Sequence, residues 1–155
     1  MVKKTTLIFV LCCLIMSACT NSAVTATSTP AASAATLAAG GLPTLPAGAL
    51  FQVIKLDGSS VTFTLDDLKE FPLAVVSAEG KFEEGPALTD VLAAAGVTDY
   101  TSIHLDGSSS PADLTREEVE AGAILDFNNH GTVKLASLAI EKASWTKDVS
   151  LIEVH

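Results

Sequence analysis

A long uncharged segment near the start of the chain limits how much of this protein can fold. Residues 20–49 consist almost wholly of alanine, threonine, serine, glycine and proline, and they carry no charged side chain. Such a segment has too few large apolar groups to offset the entropy lost on ordering, which predicts a flexible tether. Residues 50–155 are long enough for one hydrophobic core, so we expect a single folded domain there.

The first residues have the layout of an export signal. Two lysines precede an apolar run over residues 7–16, and small residues then precede Cys19. The motif 16-MSAC-19 resembles the lipobox of bacterial lipoproteins, in which a peptidase cuts before the cysteine and the thiol carries lipid. This implies a signal peptide over 1–18, a tether over 19–49 that begins at a lipidated, palmitate-bearing Cys19, and a location at the extracytoplasmic face of the cell membrane. Several acyl chains anchor stably, because each buried methylene contributes about 0.8 kcal/mol. An ordinary secretory signal is the alternative.

The predicted domain contains no cysteine, because Cys12 and Cys13 lie in the signal and Cys19 precedes the tether. A disulfide, a thiolate metal ligand and a cysteine nucleophile are therefore excluded within it. Loss of the signal removes two of the nine basic residues and leaves seven against eighteen acidic ones, a formal charge of −11. This charge disfavours nucleic acid and anionic lipid headgroups as partners.

Hydrophobic periodicity and turn residues predict more strands than helices in residues 50–155. The expected helices are short: a turn capped by Thr64, a helix starting at Pro86 and ending at Gly96, and one over 114–122 with Thr115 and Glu118 at capping-box spacing. The expected strands are a hairpin around the turn at 57–60, a buried strand at 73–77, and the segments 100–105, 123–127, 132–137 and 149–154. We therefore predict an α+β fold with a mixed, largely antiparallel sheet and short helices.

Residues 77–85 are predicted to form an acidic loop that leads into the helix at Pro86. A helix N-terminus can hold an anion, but Glu83 and Glu84 would complement the helix dipole themselves and repel a phosphate. The interpretation is a helix start that is capped by its own residues.

Other patterns in the chain give little support for catalysis or for a metal site. His104, His130 and His155 show no ligand spacing, and none of the common hydrolase, phosphate-binding or metalloprotease motifs is present. No catalytic residue and no metal ligand is therefore predicted. The single tryptophan, Trp145, is interpreted either as a core residue or as the lining of a groove.

Five phrases in order resemble the molybdopterin-binding domain of the sulfite oxidase family. They cover nearly all of residues 50–155, and they are 65-LDDLKEFP-72, 84-EGPALTDVLAAAGV-97, 104-HLDG-107, 128-NNHGTVKL-135 and 145-WTKDVSLIEV-154. The resemblance implies a sulfite oxidase molybdopterin-domain-like fold and places a cofactor pocket near Ser77, Lys81 and His104.

The chain departs from this family at the position that matters most for catalysis. Catalytic members ligate molybdenum through a cysteine, often in a Cys-x-Glu-Gly-Trp phrase, and the corresponding run here is 77-SAEGK-81. A serine hydroxyl is a poor substitute for a soft thiolate ligand. Arg116 is the only arginine, which is unfavourable for a dianionic cofactor.

Three functions remain open from the sequence. The leading one is a lipid-anchored, extracytoplasmic binding or accessory domain that is not itself a redox enzyme. No cofactor is expected for it, and a small-molecule ligand or an envelope protein is its expected partner. The second is a molybdopterin-dependent oxidoreductase, or a subunit of one, that binds the cofactor without a cysteine ligand. The third is a structural or adhesive surface protein with an exposed hydrophobic patch.

Overall fold

A computed structural model describes residues 44–155 of the chain. The predicted signal peptide, Cys19 and most of the predicted tether lie outside the described residues. The strands of the described part are β1 (Ala49–Ile54), β2 (Ser60–Thr64), β3 (Leu73–Ala78), β4 (Lys81–Pro86), β5 (Ser102–Asp106), β6 (Ala112–Thr115), β7 (Ile124–Phe127), β8 (Val133–Ala136) and β9 (Leu151–Val154). The helices are α1 (Leu65–Lys69), α2 (Leu88–Ala94) and α3 (Arg116–Glu120), with a 3₁₀ turn at Lys142–Ser144.

A five-stranded sheet forms the centre of the domain, in the order β2-β1-β9-β5-β6. Its one parallel contact joins β1 to β9, and its other pairs are antiparallel. Alternate side chains of these strands are fully buried, among them Phe51, Val53, Ile103, Leu105 and Ile152. This alternation follows from the period of two in a strand and places the main core on one face of the sheet.

Two separate hairpins, β3–β4 and β7–β8, lie outside the central sheet. They pack against each other through a smaller apolar cluster that contains Val76, Ile124, Ala136 and Trp145. The fold is therefore α+β with largely antiparallel pairing and short helices, and this prediction is confirmed.

Two of the three helices begin with capping boxes, one behind Thr64, where the sequence predicts a capped turn, and one behind Thr115, where it predicts the box itself. The Thr64 side chain accepts from the Asp67 N–H, and the Asp67 carboxylate accepts from the Thr64 N–H at 2.8 Å. Thr115 and Glu118 repeat the arrangement at the start of α3. Each box satisfies main-chain donors that a helix start otherwise leaves unpaired.

The segment 77–85 is not the acidic loop that the sequence predicts. It contains the end of β3, a two-residue turn and most of β4, and the turn residues Glu79 and Gly80 have φ angles of 51° and 75°. Positive φ at both positions matches the right-handed twist of a hairpin, which explains why the chain reverses here.

The predicted start of the second helix is wrong as well. Pro86 ends β4, and α2 begins two residues later behind Ala87, which provides no side-chain cap. Glu83 and Glu84 lie within β4 and not in the first turn of α2. The helix start is therefore not capped by these two carboxylates.

Two further differences concern strands. The predicted buried strand at 73–77 exposes Leu73 and Val75 to solvent, because only one face of the β3–β4 hairpin packs on the protein. Strand β6 was not predicted as a strand, and its pairing with β5 adds an edge to the central sheet. Among residues 44–155, no helix is long and apolar enough to cross a lipid bilayer.

Candidate functional site

Ser77 and Lys81, two of the residues predicted to lie at a cofactor pocket, share the β3–β4 hairpin. Ser77 is opposite Phe82, and Lys81 is opposite Ala78 beside the turn. Both side chains are exposed, and the Phe82 ring next to Ser77 is 77% exposed. Because side chains alternate between the two faces of a hairpin, Ser77 and Phe82 point to the outer face, while Lys81 lies on the face that carries Val76.

His104, the third predicted pocket residue, belongs to the central sheet. It lies on β5 between Asp113 of β6 and Glu153 of β9, and its Nδ1 atom is 2.7 Å from Asp113 Oδ1. The structure thus brings Ser77 and Lys81 together on one hairpin and places His104 in a different sheet. Within residues 44–155, no three His, Cys, Asp or Glu side chains converge in a way that could hold a metal ion.

A half-buried charge cluster connects the two hairpins and was not predicted from the sequence. The Lys134 Nζ atom lies 3.0 Å from Glu83 Oε2 and 3.1 Å from Asp126 Oδ2. Lys142 approaches the other Glu83 oxygen at 3.7 Å. The second Asp126 oxygen accepts a hydrogen bond from the main-chain N–H of Glu84 at 3.0 Å. All four charged side chains therefore have partners, as burial of charge requires.

Opposing effects set the ionisation of this cluster. Burial favours the neutral form of Glu83, but the hydrogen bond and charge of Lys134 outweigh burial and lower the pKa of Glu83. Burial likewise opposes the charge on Lys134, whose pKa is nevertheless raised by its hydrogen bonds to Glu83 and Asp126. Both groups are thus held in the charged state across the neutral range.

The sequence contains a pattern that could have predicted part of this charge cluster. Asp126 and Lys134 flank the Asn-Asn-His-Gly turn at 128–131 of the β7–β8 hairpin and are directly opposite each other. Opposite charges at facing positions of a hairpin form cross-strand pairs, so these two residues could have been paired from the sequence. Nothing in the sequence indicates the third member, Glu83, because it comes from a different hairpin.

Trp145 is a core residue, which decides between the two interpretations from the sequence. Its side chain is 3% exposed, and its Nε1 donates to the Ser137 carbonyl at 2.9 Å. The ammonium groups of Lys134 and Lys142 lie 5.9 and 5.4 Å from its ring centroid, within cation–π range. The buried ring therefore packs against the two ammonium groups of the charge cluster and does not line a groove.

A second polar cluster joins three loops at the end of the central sheet. The Asp148 carboxylate accepts from Ser108 Oγ at 2.6 Å, from Asn128 Nδ2 at 3.0 Å and from the Thr132 hydroxyl. The hydrogen bond from Ser108 contributes most to a lowered pKa of Asp148, followed by that from Thr132. Asp148 adopts a φ of 47°, which the three hydrogen bonds hold in place.

A shallow cleft of about 260 Å³ lies between the β1–β2 turn and the end of α2. Lys55, Asp57 and Asp99 provide its charged lining, and Val97 and Val154 are among its apolar lining residues. Ser77, Lys81 and His104 are not part of this cleft. It is therefore separate from the pocket predicted from the sequence.

Comparisons with known proteins identify a similar fold. No protein family matches the chain by its sequence profile, and no curated protein matches it. A similar architecture occurs in the sulfane dehydrogenase SoxCD from Paracoccus pantotrophus. The TM-score is 0.56 at 20% sequence identity, and the similarity covers 68% of this chain.

This likeness shows the fold and no more, because sequence identity at this level does not transfer an activity. The aligned region spans 37% of the SoxCD chain, so the similarity extends over little more than a third of that chain's length. The similarity of the two folds agrees with the fold that the five phrases of the sequence imply.

Proposed function

We propose that residues 50–155 form a binding or accessory domain that has a molybdopterin-domain-like fold and does not itself hold a molybdenum cofactor. Two facts support the relationship to molybdopterin oxidoreductases: the order of the five sequence phrases and the similarity of the fold to a sulfane dehydrogenase. We further propose that lipid on Cys19 holds the domain at the extracytoplasmic face of the cell membrane.

The position of Ser77 is the observation that carries this proposal. The resemblance places a metal-ligating cysteine at this residue, and the side chain present is a hydroxyl on the exposed outer face of a hairpin. Its cross-strand neighbour is the exposed ring of Phe82. Residues 44–155 contain no sulfur atom of any kind, so no other side chain of this region could supply the soft ligand.

The charges of the domain also fit poorly with a pterin pyrophosphate. Arg116, the only arginine, pairs with Glu120 at 2.7 Å and with Asp99 at 3.5 Å. Lys134 is shared by two carboxylates. A dianion could use Arg116 or Lys134 only by displacing these pairs, which is unfavourable in a strongly acidic domain.

The test uses the full chain, isolated from membranes of a host that makes molybdenum cofactor. Molybdenum is measured by mass spectrometry and released pterin by fluorescence, both per mole of protein. The expected result is a molybdenum content no higher than that of an unrelated lipoprotein prepared in parallel. Stoichiometric molybdenum and pterin would overturn the proposal and favour a cofactor enzyme that lacks a cysteine ligand.

The lipid anchor is tested separately by metabolic labelling with palmitate. We expect label on the wild-type chain and none on Cys19→Ser, together with loss of the variant from the detergent phase on phase separation. Equal labelling of both proteins would show that Cys19 is not the lipidated residue.

A further inference from the structure

Strand β3 has one edge that is free of hydrogen bonds in the described part of the protein. The two-residue turn makes Ala78 and Lys81 a hydrogen-bonded pair, so Val76 and Ala74 also bond to β4. The main-chain groups of Leu73, Val75 and Ser77 then point away from β4, and no described residue bonds to them.

The opposite strand confirms this alternation. Glu84 faces Val75, and its N–H points away from β3 to reach the Asp126 carboxylate at 3.0 Å. Pro86, which has no N–H, faces Leu73. On β4 the outward N–H of Glu84 thus has a partner and Pro86 has no N–H to satisfy, whereas no described residue bonds to the outward groups of Leu73, Val75 and Ser77.

The outer face of the same hairpin is apolar. Leu73, Val75 and Phe82 are 51%, 59% and 77% exposed, and they lie on the face that does not contact the β7–β8 hairpin. Edge strands are usually protected by lysine, proline or a bulge, and residues 73–78 contain none of these. An unprotected edge beside an apolar face is suited to the addition of another strand.

The charges around the β3 edge indicate what kind of strand could be added there. Glu70 precedes β3, Glu79 follows it, and Glu84 lies on the outer face, all three exposed. The nearest basic residue of the hairpin, Lys81, is on the opposite face. A second copy of this acidic chain would bring like charges together, and the uncharged residues 20–43 offer no basic group to pair with the three glutamates.

We propose that the β3 edge is a docking site for an extended segment of a basic protein partner, apolar at its centre and flanked by lysine or arginine. The main-chain groups of Leu73, Val75 and Ser77 extend the hairpin to a third strand, the apolar residues cover Leu73 and Val75, and the basic flanks pair with Glu70 and Glu79. This goes beyond the proposed function, because the edge is open whether or not the domain holds a cofactor.

The test uses the full chain in detergent and the labelled peptide Lys-Lys-Val-Thr-Val-Thr-Val-Lys-Lys amide, with binding followed by fluorescence anisotropy. Val75→Lys, which places a cation at the centre of the edge, is expected to weaken binding about tenfold. Leu56→Lys is the matched control, since Leu56 is 64% exposed but belongs to the β1–β2 turn. It is expected to change binding by less than about twofold. Circular dichroism verifies that both variants fold.

Hydrogen exchange followed by NMR distinguishes strand addition from loose adsorption. The peptide is expected to slow exchange of the Val75 and Ser77 amides by about tenfold while leaving the Ala78 amide unchanged. A peptide methylated on its valine nitrogens, and one with glutamate in place of lysine, are expected not to bind.

Three results would overturn the proposal. One is equal weakening by Val75→Lys and Leu56→Lys, and another is peptide binding without protection of the Val75 and Ser77 amides. The third is a dimer in sedimentation experiments that Val75→Lys dissociates, which would show that a second copy occupies the edge.

Discussion

The main chain at Gly85 runs directly against the main chain at Leu125. A Cβ atom at Gly85 would lie 2.0 Å from the Leu125 carbonyl oxygen, much closer than two such atoms can approach. Both partners are backbone and neither can rotate away. This contact, together with the ion pairs of Lys134, holds the β3–β4 hairpin on β7.

We expect Gly85→Ala to destabilise the protein by about 3 kcal/mol, because the added methyl group must push two backbones apart. Denaturant unfolding measured by the fluorescence of Trp145, the single tryptophan, gives the free energy. Gly48→Ala is the control: nothing lies within 4 Å of its Cβ position, and only its φ of 87° opposes alanine. Gly48→Ala should lower the free energy of unfolding by about 1 kcal/mol. Equal losses of unfolding free energy in the two variants would contradict the close contact between Gly85 and Leu125.

The Glu83–Lys134 pair should make stability fall in acid. The pKa of Glu83 in the folded protein lies below its usual 4.5, so the ionised form stabilises the fold above that pH. This contribution is lost as pH falls through the lowered pKa.

We therefore expect Glu83→Gln to be less stable than wild type by about 1 kcal/mol at pH 7, with the difference shrinking below pH 4.5. Urea unfolding between pH 7 and pH 3 measures it. Glu84→Gln, which changes an exposed carboxylate on the same strand, should leave the pH profile unchanged. A difference for Glu83→Gln that stays constant with pH would argue against the ion pair.

The capping box of α1 can be tested with two substitutions at one residue. Thr64→Ala removes the hydroxyl that accepts from the Asp67 N–H and should cost about 1 kcal/mol of unfolding free energy. Thr64→Ser keeps the hydroxyl and should cost about half as much or less. Thermal unfolding by circular dichroism compares them, and similar losses for both would mean that the methyl group matters and not the cap.

A thiol introduced at position 77 should not create a molybdenum site. Ser77→Cys would place the sulfur on an exposed hairpin face beside Phe82 and Glu84, without a free arginine in the described domain. The measurement is molybdenum per chain after expression of the full chain in a host that makes the cofactor. Ser109→Cys, at another exposed serine, controls for adventitious binding by a thiol. Molybdenum in Ser77→Cys alone would contradict this prediction and show that a thiol at position 77 is enough to bind the metal.

Local interactions explain why much of the fold was predicted from the sequence. Thr64 and Asp67, like Thr115 and Glu118, are three residues apart, so one helical turn is enough to form the capping box. The β1–β2 hairpin likewise follows from alternating side chains on either side of the turn at 57–60. The α+β class follows from the balance of these short elements.

The sequence by itself thus determined the short helices, most strands and the acidic, cysteine-free character of the domain, because these depend on neighbouring residues or on composition. Tertiary structure decided that 81-KFEEGP-86 is a strand, although glutamate, glycine and proline are poor strand formers. Glu83 is held by Lys134, the N–H of Glu84 by Asp126, and Gly85 by the approach of Leu125. These partners are about forty or fifty residues away in the chain, so no local sequence pattern predicts them. Their contacts stabilise as a β-hairpin the segment that local patterns predict to be a loop.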